Sequence, residues 1–165
     1  MRDPAKGGGR GVVGAWYRVR SRRTAIGGAG LLRMMIRTGA LIALPGLAVS
    51  APAHALDLNG YRASHGSPPL QWSAELAAAA YAHAHDLARR GRLDHKNFRQ
   101  RLGSVASTAA ENVSYGCNSE DCAIRQWARS SGHRRNMLMR GVSRYGLASA
   151  VDAKGRRYWV LELGN

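Results

Sequence analysis

Acidic residues are scarce in this chain: ten Asp and Glu stand against 25 Lys and Arg, a formal charge of +15 over 165 residues. Cysteine occurs only at Cys117 and Cys122, so there is no second pair to complete a tetrahedral zinc site. No apolar run approaches the roughly 20 residues that span a bilayer as a helix. The G-x-S-x-G pattern that seats a serine nucleophile at a sharp strand-to-helix turn is absent. Aromatic residues are not interleaved with the basic ones, which argues against nucleic acid as a partner. No internal repeat or low-complexity tract follows residue 55. What remains, 45% hydrophobic and 7% aromatic residues, is ordinary for one globular domain.

The basicity is uneven. Residues 1–55 carry nine Lys or Arg against Asp3 alone. Residues 1–33, with Gly7 to Gly9 and Arg18 to Arg23, show no apolar periodicity and read as a non-native or disordered basic extension ahead of the true start. Residues 34–55 have the anatomy of a secretory signal: Arg37, an apolar run from Ala40 to Val49, then small residues ending in Ala53-His54-Ala55. A twin-arginine signal at Ser21-Arg22-Arg23 is the alternative, although Arg33 and Arg37 interrupt its apolar region. Cleavage after Ala55 would leave residues 56–165 as the mature domain, secreted or periplasmic, with no membrane span. Four residues separate Cys117 from Cys122. In an exported chain they read as a local disulfide worth on the order of 2 kcal/mol, or else as two free structural thiols.

Within the mature domain, Leu56, Leu58 and Tyr61 suit a short helix ended by Gly66 and Pro68-Pro69, after which Leu70 and Trp72 are expected to enter the core. Ser73 caps a helix that carries Glu75 in its first turn, runs to about Arg90 and stops at Gly91. Its stripe is Leu76, Ala80, Ala84 or His83, and Leu87, widened by Ala77, Tyr81 and Ala88. His83 reads as a packed, satisfied ring and His85 as solvent-facing. Lys96 to Leu102 form a basic helical turn, and the SVASTA stretch after it is loop-like. Val113 to Tyr115 alternate as a half-buried strand. Ser119 opens a further helix with Glu120 and Asp121 in its first turn, and Ile124 and Trp127 face inward. Val142–Val151 and Arg157–Leu163 read as two strands joined by the turn Asp152-Ala153-Lys154-Gly155.

Residues 110–138 concentrate the chemistry. Glu111 on a strand and His133 after Ser130-Ser131-Gly132 could shuttle a proton or hold a metal if the fold brings them together, and are otherwise unrelated surface or capping residues. His95 lies in a loop beyond Gly91, where the other reading of it is a turn residue paired with Asp94.

From Leu58 to Gly164 the chain resembles the CAP superfamily (cysteine-rich secretory proteins, antigen 5 and plant pathogenesis-related class 1 proteins, the SCP-like domain) in its compact bacterial form. The pieces are LNGYRASHGSPPLQWSAELAAAAYAHAHDLA, LDHKNF, AENVSYG, QWARSSGHRRNML, YGLASA and YWVLELG, in that order. The resemblance implies an α+β fold, a three-layer α-β-α sandwich around a small, mainly antiparallel sheet. It also implies a cleft lined by His95, Glu111 and His133. Many relatives carry a second Glu where this chain has Ser130, whose neutral hydroxyl brings no charge to a cation. Weak, reversible, zinc-like divalent binding by His95, Glu111 and His133 is therefore the expectation, with no cofactor required.

Four functions remain in view. One is a monomeric extracytoplasmic binding or signalling module for an unknown extracellular or envelope ligand. A second is a metal-assisted hydrolase with His95 or His133 as base and Glu111 as acid or ligand. A third is a binder of acidic envelope polymers through Arg89, Arg90, Arg92, Lys96, Arg99 and Arg101. The last, carried by the resemblance alone, is lipid binding.

Overall fold

Local signals set the helices that follow residue 55. The computed structural model describes residues 55–165, together with the backbone of Val12–Arg18. The first helix, α1 (Leu58–Ala63), starts at Asp57, whose carboxylate accepts from the Gly60 amide at 2.6 Å. After the short strand β2 (Gln71–Trp72), helix α2 (Ala74–Arg90) begins at Ser73, which caps the Leu76 amide, and ends at Gly91 in the left-handed conformation. The stripe Leu76, Ala80, His83, Ala84, Leu87 and Ala88 is buried. Helix α3 (Phe98–Leu102) is one basic turn anchored by buried Phe98 and Leu102. Helix α4 (Glu120–Ala128) is capped by Ser119 and buries Ile124 and Trp127, and α5 (Ser131–Met137) follows after a break at Arg129 and Ser130.

Strands β3 (Thr108–Tyr115), β4 (Arg144–Val151) and β5 (Arg157–Gly164) form the sheet centre in the order β3-β5-β4, all antiparallel. Strand β2 adds to the outside of β4 in parallel. The β4–β5 turn closes through Gly155, with φ of 77° and its amide donating to the Asp152 carbonyl. On one sheet face α2 packs over Val113, Ala150, Tyr158 and Val160, with α3 beside it around Leu76 and Ala109. On the other face α1, α4 and α5 enclose Ala110, Leu161 and Leu163. The fold is thus α+β, a sheet between two helical layers. Buried Arg62 ties α1 to the end of α5 by donating to the Pro68 carbonyl at 2.8 Å and the Met137 carbonyl at 2.6 Å.

Four expectations change. Trp72 is 56% exposed and packs edge-on against Tyr145, because the neighbouring Leu70 fills the core position instead. Tyr81 lies outside the buried stripe of α2, exposed against the ring of His85. His85 itself is exposed, facing solvent as expected, with its ring against Tyr81. Strand β3 begins at Thr108, inside the stretch read as loop, and is buried on both faces because helical layers cover both sides. Within residues 1–33, read as an extension without structure, Val12–Arg18 form the edge strand β1, antiparallel to β3. Two valines, a tryptophan and a tyrosine in seven residues are strong strand formers, and an edge of β3 offers unpaired backbone groups for them. The stretch 34–55, read as a secretory signal, lies outside the described residues except for Ala55.

Candidate functional site

The site grows from one cross-strand pair. Glu111 of β3 stands directly opposite Glu162 of β5, and both side chains are fully buried. They lie between Ala109 and Val113 on one strand and beside Val160 on the other, so they face α2. Two carboxylates side by side in a low-dielectric interior cannot both ionise cheaply, and their surroundings separate them. Burial pushes Glu111 upward, but the hydrogen bonds from His95 and Glu162 and the charge of Arg101 outweigh it and hold its carboxyl below the usual range. Glu162 is pushed well above the usual range by burial and by the negative Glu111. Glu162 therefore keeps its proton and shares it with Glu111.

Loop and helix residues complete the cluster. His95 Nδ1 lies 2.5 Å from Glu111 Oε1. The Arg101 guanidinium, presented by α3, donates to Glu111 Oε2 and approaches Glu162 Oε1 at 3.4 Å. Its other amino group donates to the Lys96 carbonyl, which fixes its direction. His83 of α2 sits 3.6 Å from Glu111 Oε2 and bonds the Asp94 carbonyl at 3.0 Å. Burial lowers its basicity, so the ring is neutral. Asp94 is held below the ordinary carboxylate range by Arg90, which also pairs with Asp86. His95 thus pairs with Glu111 through its ring, and Asp94 pairs with Arg90.

His133 and Ser130 are placed elsewhere. Asn112, next to Glu111 in β3, points to the opposite face, where Nδ2 donates to the His133 carbonyl at 3.1 Å. Asn136 Nδ2 donates to Asn112 Oδ1 and to the Glu111 carbonyl, so α5 is stapled to that far face. Ser130 takes the capping position of α5 without a side-chain cap bond. The structure therefore joins His95 to Glu111 and carries His133 and Ser130 on the helix across the sheet. Sequence reasoning left out Glu162, gave His83 no site role, and placed Arg101 only among basic residues for an acidic polymer. The available signal was the lone acid in the apolar strand Trp159-Val160-Leu161-Glu162-Leu163. Cys117 and Cys122 form a disulfide that ties the loop after β3 to the first turn of α4.

Residues 57–163 match the model of the cysteine-rich secretory protein family, CAP, over most of the chain. This protein belongs to the CAP family. The CAP chain is 28% identical over 88 residues to YkwD of Bacillus subtilis, covering 48% of this chain and 34% of that protein. It spans about a third of the length of the two Bacillus subtilis relatives that it matches. Among solved structures it resembles an outer surface protein from Borrelia burgdorferi, with TM-score 0.59 and 16% identity over 66% of this chain and 86% of that one. It also resembles an extracellular protein containing an SCP domain from Bacillus anthracis, with TM-score 0.57 and 23% identity over 66% and 37% of the two chains. At these identities the likeness is one of fold.

The metal expected of a His/Glu cleft does not fit the residues of this CAP domain. Both oxygens of Glu111 are engaged, one by an imidazole and one by a guanidinium. Among the described residues no group of three or more His, Cys, Asp or Glu is arranged to hold an ion.

The carboxyl pair makes stability depend on pH in two directions. Glu162 is raised in the folded state, so the stability it contributes is complete below its unfolded value and is lost as pH rises through the folded one. Glu111 is lowered, so its contribution is present above the unfolded value and is lost as pH falls through the folded one. Glu162→Gln keeps a donor toward Glu111 and cannot ionise. Its stability relative to the parent is expected to rise steadily with pH, measured as urea midpoints across a pH series. An offset independent of pH would show that Glu162 does not hold a raised proton.

Proposed function

We propose that this CAP chain is an exported, non-catalytic binding module of the cell envelope whose ligand is anionic. The observation that carries the first half is that the His95–Glu111–Arg101–Glu162 cluster is closed on itself. Its one ionised carboxylate is saturated by donors from a loop, a helix and a strand, and among the described residues no activated nucleophile stands near it. Such a network pins those elements together. Export is supported by the A-x-A sequence before Leu56 and by the disulfide. Two solved relatives are described as an outer surface protein and an extracellular protein. The Leu56 nitrogen lies 3.0 Å from Asp121 Oδ1, so a terminus created after Ala55 would set its ammonium on that carboxylate.

The anionic ligand is argued from a cavity of about 600 Å³ between the end of α2 and the β4–β5 turn. Its wall carries Arg89, Arg90, Lys154 and Arg156 against Asp152. A concave surface with one dominant sign concentrates oppositely charged polymers. This differs from the run of basic residues in sequence, since Arg101 is turned into the buried cluster.

Titration with inorganic polyphosphate and with a neutral glycan tests the reading. Binding of the polyanion alone, weakened with rising salt and lowered about tenfold or more in Arg89→Ala/Lys154→Ala, is expected. Turnover of peptide, ester or glycan substrates that disappears in a still-folded His95→Ala protein would replace the proposal with a hydrolase.

A further inference from the structure

We infer that the outer edge of β3 is a strand-accepting site. Val12–Arg18 fills it within one chain, and an extended segment of a partner protein, rich in β-branched and aromatic residues, fills it once that leader strand is removed. The site is separate from the basic cavity at the β4–β5 turn. One edge of β3 is held by β5 from Ala109 to Tyr115, and the other by β1 from Thr108 to Ser114 in seven consecutive antiparallel pairs. Among the described residues no other strand reaches that outer edge.

β1 differs from its neighbours in its place along the chain. Strands β2 to β4 and nearly all of β5 fall within residues 57–163, the family match, whereas Val12–Arg18 precedes them and precedes the A-x-A sequence. Cleavage after Ala55 takes β1 away. Antiparallel strands turn about every second residue's N–H and C=O groups toward one neighbour, so the loss leaves a row of backbone donors and acceptors along β3. Edges that stay unpaired are ordinarily blunted by proline, by lysine or by a bulge. β3 has neither proline nor lysine, its pairs with β1 run without a bulge, and the charge of Glu111 is turned into the buried cluster. This edge is built to be paired.

The slot also has a preformed wall. α5 lies close to β1, and it is fixed on β3 because Asn112 donates to the His133 carbonyl and Asn136 to the Glu111 carbonyl. The sequence that fills the slot shows the chemistry it takes, since VVGAWYR places two valines, a tryptophan and a tyrosine in seven residues. In strand addition, main-chain hydrogen bonds supply the affinity and side chains the choice.

Ala15→Pro/Trp16→Pro in the full chain opens the site independently of processing. Neighbouring residues of a strand turn their amides to opposite sides, so one of two adjacent prolines removes a bond to β3. Fluorescein-labelled VVGAWYR peptide, followed by anisotropy, is expected to bind this variant about tenfold or more tightly than the parent, where the tethered strand competes at high local concentration. The outward amides of Ala109–Ser114 should exchange quickly in the variant and regain protection with peptide, while β4 and β5 stay protected throughout. Peptide carrying the same two prolines should not bind. Equal binding by parent and variant would overturn the inference, as would a variant that takes no peptide or that dimerises through its own edge instead. A variant that unfolds also counts against it, because Val12–Arg18 would then be an integral strand and not an exchangeable occupant.

Discussion

Glu111→Ala is expected to destabilise the protein by about 3–5 kcal/mol, the cost of breaking a buried ion pair from one side. The carboxylate accepts from His95 and Arg101 and shares the proton of Glu162, so its removal strands three groups, of which Glu162 is fully buried and His95 and Arg101 are mostly buried. One partner can respond. With the neighbouring charge gone, Glu162 can release its proton and become the counter-ion of Arg101, which lies 3.4 Å away. The single substitution should therefore fall at the lower end of that range and Glu111→Ala/Glu162→Gln at the upper end. Urea unfolding of the parent and both variants measures the difference. A double variant no less stable than the single one would mean that Glu162 does not take over the charge.

Gly146→Ala is the second substitution with a large expected effect, although it adds only one methyl group. Gly146 is paired with Glu162 across β4 and β5, in the same row as the carboxyl pair. A Cβ at this position would stand 2.1 Å from the Ala77 nitrogen and 2.2 Å from the Leu76 carbonyl carbon. Both atoms belong to the backbone of α2, so no side-chain rotation relieves the clash and the helix itself must lift. Overpacking ordinarily costs roughly 1–3 kcal/mol, and about 3 kcal/mol or more is expected here because backbone gives way less than side chains. Lifting α2 also draws His83 away from Glu111. Thermal unfolding should show the loss, and an unchanged midpoint would place α2 farther from β4 than the structure does.

The elements of this CAP domain were legible wherever their cause is local. Ser73, Gly91, Ser119 and the Asp152-to-Gly155 turn act on the backbone within a few residues, and each stands where its sequence placed it. His83 was legible as a packed ring because it falls on the apolar stripe of α2. Trp72 was misplaced because hydrophobicity alone does not say which of two neighbouring residues a bend will bury, and Leu70 took the position.

The sequence by itself determined the family, the caps and turns and the importance of Glu111. Only the tertiary structure decided what Glu111 is for. Its register against Glu162 joins strands far apart in the chain and is set by the packing of two helical layers on β3 and β5. Because neighbouring strand residues point to opposite faces, that same packing sends the Glu111 side chain toward α2 and Asn112 toward α5. The cation beside Glu111 is consequently Arg101, and the helix bearing His133 lies across the sheet.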